Sequence, residues 1–313
     1  MFSIVIPVYK NEASIPELLE VLRAVAAGED ELEVVFVVDG SPDRCFEELQ
    51  LRLRSVPFRA QLLSLSRNFG SFAAITAGLR VASGDLFAVI SADLQDPPEV
   101  LADFRRELAT GRYDVVVGTR RHRDDPAITR LGSRLFWTAY RVLGQPQMPR
   151  GGVDLFACNR RFRAHLLDLH ERNSSLVGLV FWLGFRRGEI QYDRRKRPYG
   201  RSAWTFARRL RYLLDSAFAF SDLPIRLLSF GGIVGLALSA ALFLIVLYAR
   251  LTGRIEVPGY SATVLAVVFF GGLNALGLGL IGEYVWRTFE NTKGRPSSVV
   301  MWHETFPAAS DEP

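Results

Sequence analysis

The densest chemistry in the chain lies in Ser91-Ala92-Asp93-Leu94-Gln95-Asp96-Pro97-Pro98-Glu99. Asp93, Gln95 and Asp96 are hard oxygen donors, the set that Mg²⁺ or Mn²⁺ takes when the ion also holds a diphosphate. An isolated acidic turn is ordinarily a solvated loop, but the position of this one argues for more. The apolar run from Leu86 to Ile90 reads as a buried strand. Pro97 and Pro98 end it and suit the first turn of a following helix. Acidic and amide oxygens are therefore expected where a strand ends and a helix begins. In an open α/β sheet that edge carries the ligand crevice.

A second group of charges is basic. From Asp193 to Arg211 eight basic residues stand against one acid, just ahead of the apolar C-terminal third. The segment Arg194-Arg195-Lys196-Arg197-Pro198-Tyr199-Gly200-Arg201-Ser202 is too basic and turn-rich for a strand. It suits an anionic partner, either a phosphate head or anionic lipid. Asp154 falls inside the apolar run Val153 to Cys158, where a carboxylate is costly unless partnered or functional. A salt bridge to Arg150 or Arg160 is its plain alternative. Cys45 and Cys158 follow no metal spacing and fit reduced thiols, and the four histidines form no ligand cluster.

These residues need a frame, and the apolar pattern supplies one. Strands are expected at Ser3 to Val8, Leu32 to Val38, Leu62 to Leu65, Leu86 to Ile90 and Val115 to Gly118, and again at Gly188 to Tyr192. Helices are expected near Ser14, over Phe72 to Val81, Pro98 to Thr110 and Arg160 to Glu171. Ser14, Pro16 and Glu17 suggest a capping box at the first of these. The alternation predicts a parallel, doubly wound sheet with polar loops along one edge. No Gly-x-Gly-x-x-Gly or Walker-type loop is present, so a nucleotide would be held by side chains and a metal.

The last third reads differently. No charge occurs from Leu227 to Ala249 or from Val257 to Gly282, and each stretch exceeds the ~20 apolar residues that cross a bilayer. Two transmembrane helices in an antiparallel hairpin are expected, preceded by an amphipathic helix over Trp204 to Phe220 in the membrane interface. The basic flanks outnumber Arg250 and Arg254 of the connection, which predicts a cytoplasmic catalytic domain and cytoplasmic termini. Met1 leads directly into a strand, so no signal peptide is expected. The chain of 313 residues with net charge +5 divides into 1–202, 203–226, 227–282 and a tail, 283–313.

Four ordered segments resemble family 2 glycosyltransferases of the GT-A fold. They are Ile4-Val5-Ile6-Pro7-Val8-Tyr9-Lys10-Asn11-Glu12, Val38-Asp39-Gly40-Ser41-Pro42-Asp43, Ser66-Arg67-Asn68-Phe69-Gly70 and Ala92-Asp93-Leu94-Gln95-Asp96-Pro97-Pro98. Pro198-Tyr199-Gly200-Arg201-Ser202-Ala203-Trp204, Gly282-Glu283-Tyr284 and Lys293-Gly294-Arg295-Pro296 are similar to segments of the polyisoprenyl-phosphate branch, which includes dolichyl-phosphate mannose synthase. The resemblance implies a Rossmann-like nucleotide-diphospho-sugar transferase domain ahead of the membrane hairpin. Pro7, Tyr9, Glu12 and Asp39 would hold the nucleoside of a UDP- or GDP-linked sugar. Asp93 and Gln95 would carry Mg²⁺ or Mn²⁺ and the diphosphate, and Asp154 would fall at the catalytic position. Arg120, Arg134, Arg197, Arg201 and Ser202 would take the phosphate of an undecaprenyl or dolichyl acceptor in membrane lipid. Ser91 departs from the pattern, standing where many members place the first acid of Asp-x-Asp.

The implied reaction is an inverting single displacement giving a polyisoprenyl-phosphate monosaccharide. An acceptor phosphate is already ionised near pH 7, with a second pKa of ~6 by analogy with phosphoserine, so it needs little help from a base. A polysaccharide synthase would carry Gln-x-x-Arg-Trp and more spans, whereas Gln191 is followed by Tyr192-Asp193-Arg194-Arg195. A non-catalytic membrane binding protein with a degenerate transferase domain is favoured only by Ser91. Nucleic acid is not an expected partner, since the basic cluster belongs to no recognised module. Self-association is left open.

Overall fold

The structure is a computed structural model that describes residues 1–29, 31–121, 138, 141, 147–149, 152–153, 155–169, 171, 175–195, 198–199, 215, 218–221, 223–252 and 259–309. Asp154, Arg134, Arg197, Arg201 and Ser202 lie outside these residues, as does most of the expected interfacial helix.

The chain alternates β1 (Phe2–Val8), α1 (Ile15–Ala26), β2 (Leu32–Val38), α2 (Cys45–Arg52), β3 (Arg59–Leu65), α3 (Ser71–Val81), β4 (Leu86–Val89), α4 (Glu99–Ala109) and β5 (Val115–Arg120). It continues with β6 (Leu155–Asn159), α5 (Arg160–Asp168), α6 (Leu176–Trp182) and β7 (Arg187–Tyr192). Two long helices follow, α7 (Leu223–Leu251) and α8 (Tyr260–Thr292), and the last strand is β8 (Val300–Phe306). One eight-stranded sheet runs in the order β7-β5-β6-β4-β1-β2-β3-β8.

Period-two alternation in the strands builds a core on each face. Ile4, Ile6, Val34, Phe36 and Val38 point into a layer shared with α1, α2 and α4. Val5, Val35, Val37 and Leu63 point the other way, into a layer shared with α3, α5 and α6. Gly78 lets α3 lie flat on that second face. A Cβ there would sit 2.4 Å from Val5 Cγ1 and 2.9 Å from Val37 Cγ2.

The sheet is mixed, which corrects the wholly parallel expectation. β6 runs antiparallel to β4 and β5, and β8 runs antiparallel to β3. β6 is buried on both faces, a pattern that carries no information about strand direction. β1, β2, β3, β4, β5 and β7 nonetheless all end at one edge of the sheet. The chain enters β6 at that same edge, where Leu155 lies opposite Gly118. The segment 283–313 is also more than a tail, since β8 closes the β3 side of the sheet. It is fastened there by Gln50 to Glu304 at 2.9 Å and by His303 to Gln61 at 2.7 Å.

The expected capping box at α1 does not form. Ser14 makes no side-chain cap to the helix. Its hydroxyl lies 2.9 Å from the Asn11 carbonyl and 2.8 Å from that of Ala92. The start of α1 is thereby tied to the loop that carries Asp93.

α7 and α8 run antiparallel in contact. A Cβ on Gly235 would lie 3.3 Å from Phe270, and one on Gly277 would lie 3.2 Å from Leu228. Among the described residues no helix is long and apolar enough to cross a membrane. The backbone of α7 is continuous over 29 residues and that of α8 over 33.

Candidate active site

Four loops meet at the carboxyl edge. The first two, after β1 and β2, are stitched together by short hydrogen bonds. Lys10 N–H donates to Ser41 Oγ (2.8 Å), and Ser41 donates to Asp43 (2.5 Å). Glu12 N–H donates to Asp43 (3.2 Å), and Arg44 N–H donates to the Glu12 carboxylate (3.0 Å). Burial alone would raise the Asp43 carboxyl, but hydrogen bonds from Cys45, Ser41 and the Glu12 backbone outweigh it and hold the group below its ordinary value. Burial and the neighbouring Asp43 push the Cys45 thiol up to about 12, so it acts here as a neutral packing group. Pro7, at the end of β1, and Tyr9 and Glu12, in the loop after it, are each half-buried beside these joined loops.

Asp39 joins the second loop to the third. It is 2% exposed, and its two carboxylate oxygens accept from Phe69 N–H (2.7 Å) and Gly70 N–H (2.9 Å). Desolvation raises its pKa, while those two amides and Arg67 oppose the rise. Gly40 permits the close approach. It has φ +54°, and a Cβ would lie 2.3 Å from the Arg67 carbonyl carbon, so no other residue fits without moving the loop.

The fourth loop carries the acids. Leu94 adopts φ +58°, a left-handed conformation that costs ~1–2 kcal/mol in a non-glycine residue. The Leu94 side chain packs on the core, and Gln95 N–H donates to Asp93 Oδ1 (3.2 Å). Strain of this kind persists where surrounding contacts impose it, commonly at functional sites. Ser91 Oγ lies 2.7 Å from Asp93 Oδ1 and in closer contact with Asp96 Oδ2, so one hydroxyl proton is shared between two carboxylates. Burial, with Asp93 nearby, raises the Asp96 pKa against the pull of Ser91 and Arg194.

Arg194 follows β7 and reaches this loop. Its Nη2 is 3.7 Å from Asp93 Oδ2 and its Nε 3.9 Å from Asp96 Oδ1. Arg195 N–H donates to the Gln95 carbonyl (2.8 Å), and Gln95 Nε2 donates to the Arg195 carbonyl (3.2 Å). The sequence places Arg194 in the basic segment expected to meet a phosphate head or anionic lipid, whereas the structure pairs it with the acids. The available signal was its place two residues beyond a strand end, where charges face the crevice. Arg120 also ends at this edge, in register with Tyr192.

A divalent ion fits these donors in part. Asp96 Oδ1 is buried without a hydrogen bond and, like Asp93 Oδ2, lies against the Arg194 guanidinium. Among the described residues no cluster of three His, Cys, Asp or Glu side chains could hold an ion alone. Further oxygens would have to come from Gln95 and from a bound diphosphate.

Residues 3–169 match glycosyl transferase family 2. An uncharacterized glycosyltransferase of Synechocystis sp. is 31% identical over 304 residues, covering 96% of this chain and 95% of that one. The undecaprenyl-phosphate 4-deoxy-4-formamido-L-arabinose transferase of Pseudomonas paraeruginosa is 36% identical over 300 residues, covering 95% and 88%. Among solved structures, glucosyl-3-phosphoglycerate synthase from Mycobacterium tuberculosis, in complex with Mn²⁺, uridine diphosphate and phosphoglyceric acid, is 20% identical. It covers 69% of this chain and 76% of that one, with a TM-score of 0.48. With more than half its length matched by the family and relatives of this identity spanning almost all of it, the chain belongs to glycosyl transferase family 2 and is a glycosyltransferase.

Proposed function

We propose that this glycosyltransferase moves one sugar from a nucleoside diphosphate to a polyisoprenyl phosphate held in a membrane. The observation that carries this reading is the meeting of an acidic loop and the start of a basic segment at one sheet edge, with Arg194 3.7 Å from Asp93. A relative named as an undecaprenyl-phosphate transferase, aligned over 95% of this chain, supports the acceptor class.

Pro7, Tyr9, Glu12 and Asp39 border the nucleoside pocket in this reading. Asp93, Gln95 and Asp96 would hold Mg²⁺ or Mn²⁺, which when bound neutralises charge on the departing diphosphate. An acceptor phosphate oxygen attacks the anomeric carbon opposite the leaving group. The bond from that carbon to the diphosphate breaks, and the nucleoside diphosphate leaves with the electron pair, inverting the carbon. Asp154 would orient the sugar or acceptor, while Arg120, Arg134, Arg197, Arg201 and Ser202 would neutralise the acceptor head. Incubating the full chain with radiolabelled UDP- and GDP-sugars and polyprenyl phosphate should give one lipid-linked monosaccharide. Label released only as free sugar, or built into long polymer, would defeat the assignment.

The same reading takes α7 and α8 as a transmembrane hairpin. Uncharged sequence from Leu227 to Ala249 and from Val257 to Gly282 supports it, as does the antiparallel contact between the helices. Reporter fusions should place both termini in the cytoplasm and Gly253 on the opposite side. A cytoplasmic signal at Gly253 would remove the hairpin.

A further inference from the structure

Arg194 lies against both acids of the loop after β4. At 3.9 Å its Nε is beyond hydrogen-bond reach of Asp96 Oδ1, and both atoms are buried without a hydrogen bond. The Asp96 side chain is only 3% exposed, so its oxygen faces the guanidinium and not water. An arginine whose task was to brace the loop would close a bidentate pair on one carboxylate, as Arg186 does on Asp114 at 2.9 and 3.0 Å. Arg194 instead touches two carboxylates loosely.

We propose that Arg194 is a positioning residue that fills the cation place of the acidic loop while donor is absent, and that a divalent ion arriving with a diphosphate displaces its guanidinium onto that diphosphate. This rests on the metal-assisted transfer proposed above. Two carboxylates this close repel each other unless a positive charge stands between them, and Arg194 supplies that charge without an ion. Its backbone is held beside the loop by the paired Gln95 and Arg195 hydrogen bonds, so displacement needs only the side chain to turn. An ion and a guanidinium cannot share the place, since like charges at this separation repel. The released guanidinium then lies within reach of the anion that came with the metal. Ser91 fits this arrangement, because one acid fewer leaves a charge that a single arginine largely balances.

Binding of Mn²⁺ alone, followed by the electron paramagnetic resonance of free ion, tests the proposal on the full chain in detergent. Arg194→Ala should bind Mn²⁺ roughly tenfold more tightly than the unsubstituted chain, a coupling of the usual size between competing ligands. Arg194→Lys, which keeps a cation in place, should stay near the unsubstituted chain, and Asp93→Asn should bind little in either background. If Arg194→Ala fails to fold, Arg194→Gln removes the charge, keeps most of the stem and carries the same expectation. Equal or weaker Mn²⁺ binding by the neutral variant overturns the proposal. If Asp93→Asn still removes that binding, the metal-assisted reading survives. If no variant binds Mn²⁺, the proposal falls, and transfer that persists in chelator shows that the metal reading falls with it.

Discussion

Asp93→Asn should lower the transfer rate by ~10²–10³-fold, the usual loss when one preorganised charge-stabilising group is removed, while the protein remains folded. The substitution keeps an oxygen for the Ser91 hydroxyl and the Gln95 amide, which now meet Asp93 Oδ1 at 2.7 and 3.2 Å. The loop therefore retains its shape and loses an anion. Radiolabel transfer and thermal unfolding, measured on one preparation, check the pair of statements. A variant with near-normal turnover would sink the assignment of Asp93 to the diphosphate. Lost turnover with a collapsed melting temperature would make the residue a scaffold instead.

The largest effect on stability is expected far from the chemistry, at Glu33. This carboxylate is 1% exposed in β2. It accepts from Ser3 Oγ (2.5 Å), Gln61 Nε2 (2.8 Å), Ser83 N–H (2.8 Å) and Ser83 Oγ (2.5 Å). Burial by itself would raise its pKa, but those hydrogen bonds together hold it below the ordinary value of 4.5. Glu33→Ala strands several buried donors at ~1–3 kcal/mol each, so a loss of at least ~3 kcal/mol is expected. That corresponds to a melting temperature lower by roughly 6–12 °C for a domain of this size. The sign with pH follows from the depressed value. The folded state holds its proton less tightly than the unfolded state, so the stabilisation is complete above pH 4.5 and is lost as pH falls below it. Glu33→Gln should flatten that acid limb. An unaltered acid limb in Glu33→Gln would assign the pH dependence to other carboxylates.

The strands that position the site were legible because each is a short apolar run that ends in polar residues. β1, β2 and β4 lie within a residue of where the pattern put them. α2 and β8 were not foreseen. α2 buries only Cys45 and Leu49, too few positions to give a helical period. β8 leaves Met301 and Trp302 exposed on the sheet edge, so it lacks the alternation that marks a half-buried strand. The acidic loop was found from residue type and place alone. The partition of the arginines was not, because neighbouring charges in one run look alike. Only the end of β7 decides that Arg194 turns to Asp93 and Asp96 while Arg195 turns to Glu99 at 3.4 Å.

The position of β8 in the chain also bears on how the enzyme is made. β3 is synthesised early, but its outer partner comes only after α7 and α8. During translation the edge of β3 stays open while both long helices are produced. An open edge is a template for pairing with other chains, and incompletely folded intermediates of this kind are prone to aggregate. Completion of the catalytic sheet thus comes after delivery of the helices, and the finished protein records that order in its last strand. A fragment cut before α7 would show permanently the edge that the full chain shows only in passing.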